Sequence, residues 1–281
     1  MTITTPDRLL AAGIAAGWLL AWYGARRRGV TLRQLVLASV LCAAGAGVGV
    51  LIGTVHAVMA APGPQTAWHP RADSYMVLVC ASALAAALCM LRRINLARMA
   101  DVAGPALLLV MAFARAGCFL KGCCWGDACA DPELIDMVLD APAQWQVYTI
   151  PAISGAAWPL AVAYPRGSLA HQQHVLLGLL DGTLPGSLPC HPVQLYEAGM
   201  AALAALCLAC GVPRRAFPGC VMALACGVYG SLRFLLEFLR ADHSPYWCGL
   251  TLPQITSVAL VVFGAAIFVA GRHSVAHPHG A

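Results

Sequence analysis

Charge is the scarcest property of this sequence. Asp, Glu, Lys and Arg make up 10% of its 281 residues, where a soluble domain carries roughly a quarter, and that shortage excludes an ordinary water-soluble globule. The 60% of hydrophobic residues supplies several stretches of the about 20 apolar residues that a spanning helix needs. A secretory leader is not expected either. Leu9 to Ala25 is apolar, but Arg26, Arg27 and Arg28 follow it instead of preceding it, so a retained first span is expected. A phosphate-cradling loop is absent too, because Gly45-Ala46-Gly47 lacks the third glycine and the strand context. No internal repeat or proline-broken pair of spans points to a transporter. The net charge of +5 reports topology and does not imply a nucleic-acid partner.

What is present is a series of apolar runs near residues 8–25, 34–61, 75–91, 102–120, 194–212, 216–239 and 250–271. The fold expected is an all-α polytopic membrane bundle of about seven transmembrane helices, with residues 1–281 forming a single membrane domain. Arginines cluster at every second connection: Arg26, Arg27, Arg28 and Arg33, then Arg92, Arg93 and Arg98, then Arg214 and Arg215, with Arg272 after the last run. The alternate connections carry only Arg8, Arg71, Lys121 and Arg166. The positive-inside rule then places the amino terminus outside, in the periplasm, and the carboxyl terminus in the cytoplasm of a bacterial inner membrane. The long connection 121–192 would be a small periplasmic head between spans 4 and 5. It holds Asp127, Asp131, Glu133, Asp136, Asp140 and Asp181, and a moderately apolar stretch from Ala156 to Tyr164. In the second span Gly45, Gly49 and Gly53 fall on one helix face, which would let a neighbouring backbone approach.

Against this background, ionisable residues inside spans stand out. Arg115 sits in Phe113-Ala114-Arg115-Ala116-Gly117-Cys118-Phe119. An arginine near a helix centre costs roughly 2.5 to 3.5 kcal/mol to insert, so it normally faces a polar cavity or a fixed anion; snorkelling toward the nearby span end is the plainer account. Tyr229, Arg233, Glu237 and Arg240 fall within an arc of about 80 degrees at helical periodicity. Arg233 with Glu237, and Glu237 with Arg240, are at pairing distances. Two arginines against one glutamate leave a positive remainder, and Arg115 enlarges it. Guanidinium forks match phosphate, so an anionic lipid head group is the simplest ligand, set against a purely structural ion-pair ladder. A third cluster, His191-Pro192-Val193-Gln194-Leu195-Tyr196-Glu197, opens the fifth span. Gln194 and Glu197 could share a face toward the cavity, and His191 could act as a general base, although a histidine at such a junction also serves as a simple hydrogen-bonding group.

Cys118, Cys123, Cys124 and Cys129 lie close together at the outer end of the fourth span, and Cys190 adjoins His191. Their spacing does not match the two-residue gaps of common zinc sites, so neither a metal nor a cofactor is expected. An oxidising outer face permits disulfides or thiol redox chemistry. Small apolar filling is the alternative, and it also suits Cys42, Cys80, Cys89, Cys207 and Cys220.

Arg115-Ala116-Gly117-Cys118-Phe119-Leu120-Lys121-Gly122-Cys123-Cys124-Trp125-Gly126 resembles the signature segment of the prolipoprotein diacylglyceryl transferases, in a divergent, cysteine-bearing form. The stretch from His191 to Glu197 resembles that family's second motif. Tyr229-Gly230 through Arg233, Glu237, Phe238 and Arg240 resembles its third. Asp101-Val102 with Pro105, and Gln254 in the last span, fit in order. The resemblance implies an enzyme that transfers a diacylglyceryl group from phosphatidylglycerol, or a related anionic phospholipid, to the lipobox cysteine thiol of a preprolipoprotein, with release of glycerol phosphate. It implies catalytic roles for Arg115, Tyr229, Arg233 and Glu237. Substrate contacts would come from Cys118, Gly122, Gly126, His191, Gln194, Tyr196, Glu197 and Arg240.

The chain departs from the family pattern at three points. Cys118 stands where asparagine is typical and Cys123 where glutamate is typical. Ser74-Tyr75-Met76-Val77 opens the third span, where members carry a histidine and two glycines. His56 and His69 are substitutes for that histidine at other places. The second function expected is therefore a non-catalytic or thiol-redox-linked lipid-binding membrane protein that kept the family fold.

Overall fold

The computed structural model describes residues 4–60, 74–129, 148–149, 159–180, 182–183, 185–241 and 245–276. Asp131, Glu133, Asp136, Asp140, Asp181, His69, Arg71, residues 156–158 of the apolar stretch and the side chain of His56 lie outside the described residues. Eight helices account for most of the rest: α1 (Thr5–Arg28), α2 (Leu32–Ala60), α3 (Ser74–Leu91), α4 (Leu96–Lys121), α5 (Leu169–Leu176), α6 (Val193–Gly211), α7 (Cys220–Glu237) and α8 (Leu252–Ala276). Every apolar run read from the sequence is one of these helices. Six of the eight are long and apolar enough to cross a membrane. The remaining run is α3, whose described apolar part is Val79–Leu91.

The chain folds inside out relative to a soluble protein. Large apolar side chains such as Leu51, Leu91, Leu203 and Val262 are exposed, while Asp101, Gln194, Glu197, Glu237 and Arg240 are buried. Lipid is as apolar as leucine, so nothing drives leucines inward and close van der Waals packing has to hold the helices together. Small residues supply it. A Cβ at Gly17 of α1 would lie 2.6 Å from Val110 and 3.0 Å from the Ala106 carbonyl of α4. One at Gly45 of α2 would lie 2.6 Å from the Cys80 carbonyl of α3, the close approach expected from the glycine spacing. The bundle thus pairs α1 with α4, α2 with α3 and α7 with α8, with α4 running against α6 and α7 at the centre.

One end of this bundle is pinned by charge. Asp101, in the first turns of α4, receives the backbone N–H groups of Gly219 (2.9 Å) and Met222 (3.0 Å) at the start of α7, and pairs with Arg28 at 3.1 Å. A carboxylate from another helix therefore satisfies donors that the helix start leaves open. Beside it, Arg27 donates to the Ala209 carbonyl at the end of α6 (2.6 Å).

At the other end, α4 stops at Gly122, which adopts a left-handed φ of +65° and returns its N–H to the carbonyls of Cys118 and Phe119. This is the usual glycine stop of a helix. Two short antiparallel ribbons accompany the helices: β1 (Tyr148–Thr149) with β2 (Val162–Ala163), and β3 (Pro245–Trp247) with β4 (Leu250–Thr251). Cys248 and Gly249, both at positive φ, turn the second ribbon. It leads straight into α8.

Candidate functional site

The end of the bundle opposite Asp101 collects the polar residues of all three sequence motifs, and two buried glutamates organise them. Glu197, one turn into α6, places Oε2 2.9 Å from Arg115 Nε, an ion-pair contact whose N–H is not aligned for a hydrogen bond. Its other oxygen accepts the hydroxyl of Tyr229 at 2.8 Å. One carboxylate thus ties α4, α6 and α7 together. Glu237, the last residue of α7, accepts from Arg233 at 2.5 Å and from Thr251 Oγ1 at 2.9 Å, with Arg240 Nε at 3.7 Å. Thr251 and Gln254 also close a reciprocal cap at the start of α8, Thr251 N to Gln254 Oε1 at 3.0 Å and Gln254 N to Thr251 Oγ1 at 3.3 Å.

Gln194 is buried beside these groups. Its Nε2 donates to the Cys123 carbonyl (2.8 Å), and its amide faces the Tyr164 hydroxyl at 3.0 and 3.2 Å. Burial pushes the Tyr164 hydroxyl up, and the bond to Gln194 partly opposes that. The loop after α4 is woven into the second and third motifs. Gly126 N–H donates to the His191 carbonyl (2.9 Å), His191 N–H returns to the Asp127 carbonyl (3.1 Å), and Asp127 N–H donates to the Leu239 carbonyl (2.9 Å). Only glycine fits at 126, because a Cβ there would lie 2.5 Å from Val193, 2.6 Å from the Leu239 carbonyl and 2.7 Å from the His191 side chain. His191 packs edge-on against Tyr196, with ring centroids 6.4 Å apart. Burial lowers the His191 imidazole from its ordinary value, with Asp127 pulling the other way.

The reversal at Gly122 also gathers sulfur. Cys123 N–H donates to the Cys118 carbonyl at 3.2 Å, and the sulfurs of Cys118, Cys123 and Cys124 all lie within 4.8 Å of one another. Among the described residues this is the one group of three or more His, Cys, Asp or Glu side chains whose ligand atoms gather that closely. Cys118 and Cys123 turned toward Cys124 hold its thiol well below the usual range, and Arg240 and Arg115 act in the same direction; Cys123 is pushed up in turn. Cys129 and Cys190 instead engage the Pro189 and Leu188 carbonyls, at 3.6 and 3.1 Å. Burial pushes the Cys190 thiol up to about 12. All thirteen cysteines are free thiols.

Sequence spacing located the Arg233, Glu237 and Arg240 pairing but misjudged its frame. The helix stops at Glu237, and Arg240 follows in a turn bridged to Gly126. Tyr229 belongs to Glu197 rather than to that ladder. Gln194 and Glu197 go to different partners, Cys123 with Tyr164 and Arg115 with Tyr229. Nothing in the sequence singles out Tyr164, Thr251 or the capping role of Asp101, because no local pattern marks a partner on a distant element.

Apolar helices around buried arginine–glutamate groups at one end define a polytopic membrane protein with a cluster of buried ion pairs. The sequence profile of the family described as prolipoprotein diacylglyceryl transferase matches residues 8–270, and the chain belongs to that family. Its relatives include proteins named phosphatidylglycerol–prolipoprotein diacylglyceryl transferase from three bacteria. That of Clostridium tetani is 24% identical over 180 residues, 64% of this chain and 56% of that protein. That of Rhodospirillum rubrum is 24% identical over 216 residues, 74% and 62%. That of Xylella fastidiosa strain M23 is 30% identical over 187 residues, 63% and 55%. In these matches the chain spans a little over half the length of its relatives.

Proposed function

We propose that this chain transfers a diacylglyceryl group from phosphatidylglycerol, or a related anionic phospholipid, to the lipobox cysteine thiol of a preprolipoprotein. The observation that carries this reading is the gathering of three guanidiniums at one end of the bundle: Arg115 against the buried Glu197, and Arg233 and Arg240 against the buried Glu237. Guanidinium forks gathered in an apolar bundle match a phosphodiester in charge and geometry.

In the step proposed, the substrate sulfur attacks the glyceryl carbon bonded to the phosphate oxygen. A C–S bond forms, the C–O bond breaks, and its electron pair leaves on the phosphate of the released glycerol phosphate. Arg115 and Arg233 would stabilise that developing charge. Glu197 and Glu237 orient the two guanidiniums, and Tyr229 fixes Glu197. The thiol proton goes to His191, which burial keeps neutral at pH 7. Cys118, Gly122, Gly126, Gln194 and Tyr196 shape the walls around the lipid.

The site lies at the end of the bundle opposite Arg27, Arg28 and Arg214, so the positive-inside rule supports placing it at the outer face of the bacterial inner membrane. The amino terminus would then be periplasmic and the carboxyl terminus cytoplasmic, with residues 121–192 as a periplasmic head on a single membrane domain. The decisive experiment incubates purified protein with labelled phosphatidylglycerol and a lipobox peptide. A thioether-linked diacylglyceryl peptide supports the proposal, and absence of transfer from phosphatidylglycerol and other anionic lipids refutes it. The sulfur cluster favours a second reading, lipid binding without transfer. That reading predicts saturable retention of phosphatidylglycerol with no modified peptide.

A further inference from the structure

We propose that Cys118, Cys123 and Cys124 form a three-sulfur site for a soft cation, Cu(I), at the edge of the arginine site. The inference stands on the sulfur geometry and does not rest on the transferase reading. The three sulfurs already lie within 4.8 Å of one another. Metal–sulfur bonds of about 2.3 Å in a trigonal plane put sulfurs roughly 4 Å apart, so side-chain rotations of less than an ångström close the site. The backbone holds the ligands in place. Cys118 sits in the last turn of α4, Gly122 reverses the chain at φ +65°, Cys123 N–H returns to the Cys118 carbonyl, and Cys124 itself stands at φ +63°.

Donor chemistry selects the ion. Three thiolates with no imidazole or carboxylate are soft ligands that favour Cu(I), zinc or iron–sulfur centres over hard cations. Structural zinc is closed by four ligands, and among the described residues no fourth histidine, cysteine or acid joins this group within the same distance. Three sulfurs suit the lower coordination of Cu(I). Three thiolates around Cu(I) carry a net charge of −2, and the charges of Arg240 and Arg115 both act on this cluster. Binding forms three Cu–S bonds and releases the thiol protons to solvent. The copper enters and stays as Cu(I), so no oxidant or reductant is consumed.

The test uses the reduced full-length protein in detergent under anaerobic conditions, titrated with acetonitrile-complexed Cu(I) against the chelator bicinchoninate. One copper per chain is expected to survive the competition, with an X-ray absorption spectrum fitted by three sulfurs. The triple variant C118S/C123S/C124S should lose that copper. Changes in outer-shell groups alone cost about 10–100-fold in metal affinity, so each single variant should weaken binding at least about tenfold, while C129S and C190S leave it unchanged. Copper retained by the triple variant, a wild-type spectrum with fewer than three sulfurs, or displacement by equimolar zinc would each overturn the proposal. So would a disulfide between any two of the three cysteines in protein alkylated inside intact cells. The wild-type spectrum and the in-cell alkylation need no variant, so misfolding of a variant does not protect the idea.

Discussion

Arg115 and Glu197 have almost no water to fall back on, with side chains 19% and 4% exposed. Removing one member of a buried pair leaves the other uncompensated, at a cost of about 3–5 kcal/mol, and removes an electrostatic contact that is typically worth about 10²–10³ in turnover. Arg115→Ala should therefore abolish transfer to the lipobox peptide and lower the midpoint of thermal unfolding in detergent. Arg115→Lys, which keeps the charge but not the fork, should recover stability more than turnover. Wild-type transfer by Arg115→Ala would remove the phosphate role. His191 gives a pH signature. Its imidazole is held below the ordinary range, so it stays neutral as the pH falls to about 6.5 and protonates only below that. The acid limb of the rate profile should lie under pH 6.5, and His191→Ala should abolish that limb along with most of the rate; an unchanged limb would assign it to another group. Most of these residues were visible in the sequence, because a charged residue in an apolar run has little explanation except function or pairing. Their partners were not. The pairing of Arg115 with Glu197 depends on how far α4 and α6 are rotated about their axes. In a lipid-facing helix apolar residues occupy the outer faces as well as the inner ones, so the periodicity that reports rotation in a soluble helix is nearly silent.

Among the elements, the hydropathy runs anticipated all seven long helices, because twenty apolar residues in sequence admit few other structures in a membrane. They were less informative about helix ends. The polar arc through Arg240 assumed a continuous helix, whereas α7 ends at Glu237 and the chain turns to meet Gly126. The same limit applied to the cysteines. Spacing rules describe ligands on a regular strand or turn, while Gly122 folds residue 123 back onto residue 118. Gly126 is where this local geometry can be tested. Gly126→Ala puts a methyl group into backbone and side chains that cannot all retreat, an overpacking cost of about 1–3 kcal/mol. It should lower the unfolding midpoint and turnover together, with no group of the proposed chemistry removed. A variant as stable and active as the wild type would show that the three motifs are not locked at this point.

For the whole molecule, the arginine distribution and the placement of the site make one topological statement. Cysteine-scanning with an impermeant thiol reagent, or reporter fusions at residues 29, 94 and 213, should put those connections in the cytoplasm and residue 166 in the periplasm. Reversal of either side would move the site to the wrong leaflet for a secreted acceptor. The two charged ends of α4 carry a further consequence. Asp101 and Arg115 are 14 positions apart (115 − 101), which at 1.5 Å per residue is roughly 21 Å along the axis, inside a hydrocarbon layer of about 30 Å. Neither group can sink toward the midplane without dragging the other toward the opposite boundary. The central helix therefore acts as a depth gauge. Bilayer thickness, set by the acyl chains of the surrounding lipids, becomes a variable to which the Arg115 end of the protein is mechanically tuned.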